Sequence, residues 1–157
     1  MQSTTTHQIA LHCEQVFFGG NWTASNLQEH LADVTWEEAL TPVYDFNTIA
    51  TLSYHIYYYI KVALPFFNGE ALDAHDKFSF DHPPINSQED WEQFKATIWR
   101  DTNAFIEGIR ALNDQQLPQD FGNKKYGSYY RNLLGTIEHS HYHLGQLVLI
   151  KKIIRQL

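Results

Sequence analysis

The stretch His139-Ser-His-Tyr-His143-Leu-Gly-Gln146 lies within a segment, from about Ser128 to Arg155, whose apolar pattern predicts one long helix. It places three histidines within five residues. Side chains four positions apart share one face of a helix, whereas side chains two positions apart point in nearly opposite directions. We therefore expect His139 and His143 to be able to bind one ion together, and His141 to lie on another side of the helix.

The face that carries these two histidines also carries core side chains. Towards the C-terminus it continues as Leu147, Ile150 and Ile154, which are typical of a buried helix face. Gln146 and Asn132 replace apolar residues on the same face. A buried polar group needs a partner, because leaving it unsatisfied costs about 1–3 kcal/mol. The pattern predicts a polar site set into the core, with Gln146 and Asn132 as candidates to hold the imidazoles in place.

Three further long helices are predicted N-terminal to this one, and no segment alternates as a strand does. The first runs from about Thr5 to Phe18, where Gly19-Gly20 ends it. The second begins near Asp45 or Asn47 and continues to Phe67, and the third begins after Ser87. Four helices without strands predict an all-α four-helix bundle, with residues 1–157 forming a single domain.

The first two of these helices are joined by a long connection. Two short helical turns are predicted in it, because Ser25 with Gln28 and Thr35 with Glu38 have the spacing of capping boxes.

Composition narrows the range of partners and of locations. The chain of 157 residues carries a net charge of −7, which disfavours nucleic acid and anionic membranes as partners. Cys13 is the single cysteine, so neither an intrachain disulfide nor a thiolate zinc cluster can form. The segment Met1–His7 lacks the features of a signal peptide, and no apolar run is long enough for a bilayer. These features predict a cytoplasmic protein that acts on a small-molecule substrate.

The second helix offers a further metal-competent side chain, His55. It lies on a face with Leu52, Tyr59 and Val62, so it is one imidazole within an otherwise largely apolar stripe. Metal sites in helix bundles are built from inward side chains on facing helices. Three imidazoles would leave an ion with an open position, as in catalytic sites. A core histidine satisfied by hydrogen bonds is the alternative, and the spacing alone leaves both open.

The sequence resembles the DinB-like (DinB/YfiT) superfamily over nearly its whole length. The resemblance rests on the pattern HxxxHxGQ in the fourth helix and on a single histidine in the second. The segments that carry it are Phe18-Gly-Gly-Asn-Trp-Thr23, Tyr54-His-Ile-Tyr-Tyr-Tyr59 and Glu138-His-Ser-His-Tyr-His-Leu-Gly-Gln-Leu147. The resemblance implies a four-helix bundle with a divalent metal site, whose ligands would be His55, His139 and His143.

What the resemblance implies about activity is less uniform. Some members are thiol-dependent transferases or isomerases that use a low-molecular-weight thiol such as bacillithiol or mycothiol. Others are described as metal-dependent hydrolases. The alternative is a non-catalytic stress-response protein that binds a metal or a small ligand. Zinc and nickel are the ions we expect, although imidazole also suits copper and iron.

Two side chains are candidates to assist catalysis. Tyr59, one turn beyond His55 on the same face, would donate a proton or orient a substrate. Gln146 would hold a histidine tautomer or would instead cap a backbone group. The loop Asp73–His82 is expected to be a solvated acidic loop rather than a second metal site, with its aromatic side chains placed over the bundle.

The fourth helix has a second apolar face, formed by Ile137, Leu144 and Val148 around His141. A helix that is apolar on two faces is either central in the fold or covered by a second molecule. We expect a homodimer on this basis.

Overall fold

The computed structural model describes residues 4–156, and within that range the chain forms helices and no strand. The three-residue 3-10 turns of the connections lie at Asp76–Phe78, Asp114–Gln116 and Lys124–Tyr126. The predicted all-α fold is confirmed. Residues 1–3, on which part of the signal-peptide prediction depends, lie outside the described range. The helices are α1 (Thr5–Phe18), α2 (Leu27–Leu31), α3 (Trp36–Leu40), α4 (Ile49–Phe67), α5 (Gln88–Ala111) and α6 (Tyr129–Ile154).

The four long helices α1, α4, α5 and α6 form the bundle. Helix α1 packs against α5 and α6, and α4 packs against the same two helices. Helices α1 and α4 therefore lie at diagonal corners, and the connection of residues 19–48 that joins them carries the short helices α2 and α3. This arrangement makes α4 and α6 neighbours, which is what places their side chains in one site.

Capping residues define the helix boundaries. The predicted capping box of Thr35 with Glu38 is confirmed at the start of α3. The predicted box of Ser25 with Gln28 is wrong by one residue, because Asn26 Oδ1 accepts a hydrogen bond from the Glu29 backbone N–H at 2.9 Å. The Ser25 hydroxyl instead hydrogen-bonds with His30 Nε2 at 2.9 Å.

Helix α4 begins later than predicted. Its N-cap is Thr48, whose hydroxyl accepts a hydrogen bond from the Thr51 N–H. The preceding residues form a turn in which the Phe46 N–H donates to the Val43 carbonyl and Tyr44 has a φ of 48°. Asp45 lies inside this turn, so the helix does not begin there and starts at Ile49, directly after the Thr48 cap.

The core fills the space between the long helices. Its largest fully buried side chains include Trp91, Phe17 and Phe105. The Trp91 indole N–H donates to the Val34 carbonyl at 2.9 Å, which ties α5 to the connection before α3. On α6, Leu147 and Ile150 are buried as their stripe predicts.

The second apolar face of α6 is covered within the chain. Ile137 and Leu144 are 5% and 3% exposed, and α6 packs against α1 as well as against α4. Burial inside the bundle thus accounts for the two apolar faces without a second molecule. Within residues 4–156, no helix combines the length and the apolar character that crossing a membrane requires.

Candidate metal centre

Three imidazoles meet between α4 and α6. His55 comes from α4, and His139 and His143 lie one turn apart on α6. Each ring offers one nitrogen to a group in which all three nitrogens lie within 4.8 Å of one another. The Nε2 atoms of His55 and His139 are 3.0 Å apart. In the described part of the chain this is the one group of three or more metal-competent side chains.

Helical periodicity brings these residues together. Helix α6 begins at its Ser128 cap and presents His139 and His143 on the same stripe as the buried Leu147. In α4, His55 is 7% exposed and lies between apolar residues that hold the helix against its neighbours. The imidazoles are therefore positioned by two rigid helices rather than by loops, as a preorganised site requires.

Hydrogen bonds at Nδ1 hold the rings of His55 and His143 and, among residues 4–156, leave their Nε2 atoms without a partner outside the cluster. His55 Nδ1 hydrogen-bonds with the Ser79 hydroxyl at 3.0 Å, and His143 Nδ1 lies 2.7 Å from Gln146 Oε1. Because an amide oxygen only accepts, the Nδ1 atom of His143 carries the proton, and its Nε2 retains a lone pair. Partners of this kind fix the tautomer and orientation of metal-binding histidines.

The donor set fits a divalent ion. Nitrogen ligands about 2.0–2.1 Å from a tetrahedral zinc ion lie roughly 3.3 Å apart, close to the 3.0 Å between His55 and His139. His139 Nδ1 is buried and has no hydrogen-bond partner within the described residues. Burying three imidazoles together is costly, and an ion bound by one nitrogen of each ring would offset part of that cost.

Burial keeps two of these rings uncharged. It lowers the pKa of His139 from 6.5 to about 4, with His143 and His55 as further causes. The pKa of His55 is also lowered, first by burial and then by His143. Neutral imidazole is the form that binds a metal, so both rings are ready for an ion at neutral pH.

The loop before α5 covers one side of the centre. The Phe80 ring stacks on the His55 ring, with centroids 4.1 Å apart and an interplanar angle of 8°. The Tyr58 hydroxyl donates to the His75 carbonyl at 2.8 Å and accepts from the His75 N–H at 3.0 Å. Phe80 thus lies over the bundle as predicted. Ser79 was not predicted, because nothing in the sequence marks which loop residue reaches an imidazole.

Tyr59 lies on the other side of the centre. Its ring centroid is 4.8 Å from that of His139 and 5.6 Å from that of His55. Its hydroxyl is 3.4 Å from Asp76 Oδ1. Burial and then Asp76 raise the pKa of Tyr59, so the hydroxyl stays protonated and can donate.

Two cavities adjoin this side. One of about 310 Å³ is lined by His139 together with Tyr59, Asn132 and Thr136. A second cavity, of about 480 Å³, is also lined by Tyr59, Asn132 and Thr136. None of the three clustered histidines lines this second cavity. The centre is therefore approached from the side of Tyr59, through the smaller cavity.

Several other candidates do not join the centre. The Asn132 amide donates to the Tyr126 and Ser128 carbonyls, so the prediction that it holds an imidazole is wrong. His141 lies opposite His12 of α1, with ring centroids 6.3 Å apart. Cys13 is 1% exposed, and burial raises its pKa to about 12.

Comparison with known proteins identifies the family of the chain. No curated protein and no solved structure matches the chain. The family model described as the DinB superfamily matches residues 21–147, which include α4, α5 and the three histidines. This match covers most of the chain, and the protein accordingly belongs to the DinB superfamily.

Proposed function

We propose that His55, His139 and His143 bind one divalent ion and that the protein is a metal-dependent enzyme that transfers a low-molecular-weight thiol to an electrophile. The observation that carries the proposal is a centre of three imidazoles that no further histidine, cysteine, aspartate or glutamate of residues 4–156 completes. A structural zinc site is closed by a fourth protein ligand, whereas a catalytic site keeps a position open. The cavity beside His139 gives that position access to a small molecule.

Zinc and nickel are the proposed ions. Either one would keep its full charge among neutral ligands and would lower the pKa of a bound thiol or water. Ser79 and Gln146 hold the rings of His55 and His143 in the orientation that binding needs. Phe80, stacked on His55, excludes water from that side of the centre.

The proposed transfer is a nucleophilic displacement. The thiol loses its proton to solvent, its sulfur forms a bond to the electrophilic carbon, and the bond from that carbon to the leaving group breaks. The leaving group departs with the electron pair of that bond. The protonated Tyr59 hydroxyl donates a hydrogen bond to the leaving atom, on which negative charge develops.

The side chains around the centre favour thiol transfer over hydrolysis. A hydrolase of this kind needs a general base beside the attacking water. The carboxylate in contact with Tyr59 is that of Asp76, and its hydrogen bond is with the tyrosine hydroxyl rather than with any of the three rings. Gln146, the other candidate to assist, is engaged with His143 and is proposed to position that ring.

Metal binding is tested first. Untagged protein, stripped by a chelator, is titrated with Zn²⁺ and with Ni²⁺ in a calorimeter. We expect one ion per chain, and we expect the triple variant His55→Ala, His139→Ala, His143→Ala to bind none. His141→Ala is the matched control from the same stretch and should bind as the unchanged protein does. Binding that persists in the triple variant would show that the site is elsewhere.

Activity is tested next on the loaded protein. A panel of low-molecular-weight thiols is offered with an aryl halide electrophile, and formation of the thioether is followed by absorbance. Turnover that disappears in the triple variant supports the transferase. Tight binding of one ion with no turnover of any thiol would favour the non-catalytic alternative. The homodimer and the cytoplasmic location stay predictions, the first testable by light scattering.

A further inference from the structure

The cavity of about 480 Å³ beside Tyr59 has a body and a rim of different chemistry. Its body is apolar and is formed by residues of α4, α5, α6 and the loops between them. Three of its side chains, Phe105, Phe121 and Leu133, are almost fully buried. A cavity of this size and lining suits a compact hydrocarbon or aromatic group. The apolar residues that line it include Ala63, Leu72, Phe105, Phe121 and Leu133.

The rim carries a cation without a partner. Lys125 lines the cavity, and its ammonium lies 4.6 Å from the centroid of the Tyr126 ring, which lines the same cavity. Among residues 4–156 no carboxylate lies within ion-pair distance of this ammonium.

The carboxylate that lines this cavity, Asp76, lies on its Tyr59 side, where its contact with the tyrosine hydroxyl leaves its charge in place. His75, which also lines the cavity, pairs with Asp73 at 3.0 Å. Lys125 is the lysine or arginine among the residues that line this cavity, so a ligand group placed at its end is favoured when it is negatively charged.

The cavity adjoins the smaller one beside the metal centre. Tyr59, Asn132 and Thr136 line both this cavity and the smaller one that reaches His139. A ligand anchored at Lys125 would pass between apolar walls and present its other end near Tyr59.

We propose that this cavity binds the electrophilic substrate, and that the substrate is a carboxylic acid with a compact apolar body, its carboxylate at Lys125. This inference rests on the proposed function, since it assigns a substrate class to the same centre. The Lys125 ammonium favours a carboxylate over a neutral group, and the apolar walls favour a compact apolar body over a polar one. The reactive carbon lies at the end of the molecule that faces Tyr59.

The test uses two matched probes, 4-phenylbutyrate and the neutral 4-phenylbutan-1-ol, titrated into the full chain by calorimetry. The protein is metal-free in one series and loaded with Zn²⁺ in another. We expect the acid to bind about fivefold more tightly than the alcohol, the factor that one partly exposed ion pair provides. Lys125→Gln should lower the affinity for the acid to the affinity for the alcohol. Lys124→Gln, a change at the adjacent lysine that does not line the cavity, should leave both affinities unchanged.

A second variant tests the walls. Ala74 lies on the loop and lines the cavity without belonging to the buried core, so Ala74→Trp should fill the space without unfolding the protein. We expect it to abolish binding of both probes. Equal affinity for acid and alcohol, indifference to Lys125→Gln, or no binding at all would each overturn the inference.

The metal titration separates this inference from the proposed function. Uptake of one Zn²⁺ by protein that binds no acid would overturn the substrate class alone. Binding of the acid by protein that takes up no Zn²⁺ would overturn the proposed function, and with it the assignment of the acid as a substrate.

Discussion

Replacing His139 by glutamine should make the metal-free protein less sensitive to acid. In the folded chain, burial beside His143 and His55 lowers the pKa of His139 from 6.5 to about 4. In the unfolded chain the same side chain is solvated and has its ordinary value of about 6.5. Between these two values the unfolded state binds a proton that the folded state does not.

The sign and size of the effect follow from this difference. Stability from His139 is fully present above pH 6.5, is lost as the pH falls towards 4, and does not change further below both values. The difference between 6.5 and about 4 corresponds to at most about 3 kcal/mol, at 1.36 kcal/mol per pH unit. The ring is only partly buried, so solvent screening reduces the expected loss to about 2 kcal/mol.

The assay is urea denaturation at several pH values between 7 and 4, on untagged protein with a chelator present. The unchanged protein should lose about 2 kcal/mol more than His139→Gln across this range. His7→Gln, at an exposed histidine of α1 remote from the cluster, serves as the control for loss of one histidine. If the unchanged protein and His139→Gln lose stability in parallel, the cluster does not hold His139 uncharged, and the reasoning is refuted.

Four further predictions concern the surroundings of the centre. Ser79→Ala removes the partner of His55 Nδ1 and should weaken Zn²⁺ binding about 10- to 100-fold by calorimetry, and an unchanged affinity would contradict the positioning role. Phe80→Ala removes the ring stacked on His55 and should speed the loss of metal to a chelator in stopped flow, whereas an unchanged rate would show that the stack does not shield the centre. Tyr59→Phe should lower kcat about 100-fold while Zn²⁺ affinity stays the same, and a parallel loss of metal would make the residue structural instead. Cys13, buried and with its pKa raised to about 12, should resist a thiol reagent until urea unfolds the chain, and rapid labelling of the folded protein would count against its burial.

The sequence predicts the helices and the shared face of His139 and His143 well because both depend on short-range periodicity. The spacing of His139 and His143 defines a shared face whatever α6 packs against. Ser87 and Ser128 cap α5 and α6 where a polar residue precedes an apolar stripe. Pairing these two ligands with His55 needs only that α4 and α6 be neighbours, which the family resemblance supplies.

Features that depend on the path of a loop were not predictable in the same way. Ser79 is 24 residues from His55, and no local pattern connects them. Asn132 shares the helix face of the ligands but lies in the first turn of α6, where nearby carbonyls take up its amide. The cap of α2 at Asn26 rather than Ser25 depends on His30, which engages the Ser25 hydroxyl.

The loop of residues 68–87 is attached to α4, and this attachment also affects how an ion enters and leaves the site. Tyr58 holds His75 through both its N–H and its carbonyl, and the neighbouring turns of α4 hold Ser79 and Asp76. To lift away, the loop must break these bonds together, so it opens as one cooperative unit rather than residue by residue. The amide of His75 should therefore be protected from hydrogen exchange although its side chain is exposed. Its protection factor then reports the free energy of opening, and the rate of that opening is the upper limit on how fast an ion could leave by this side.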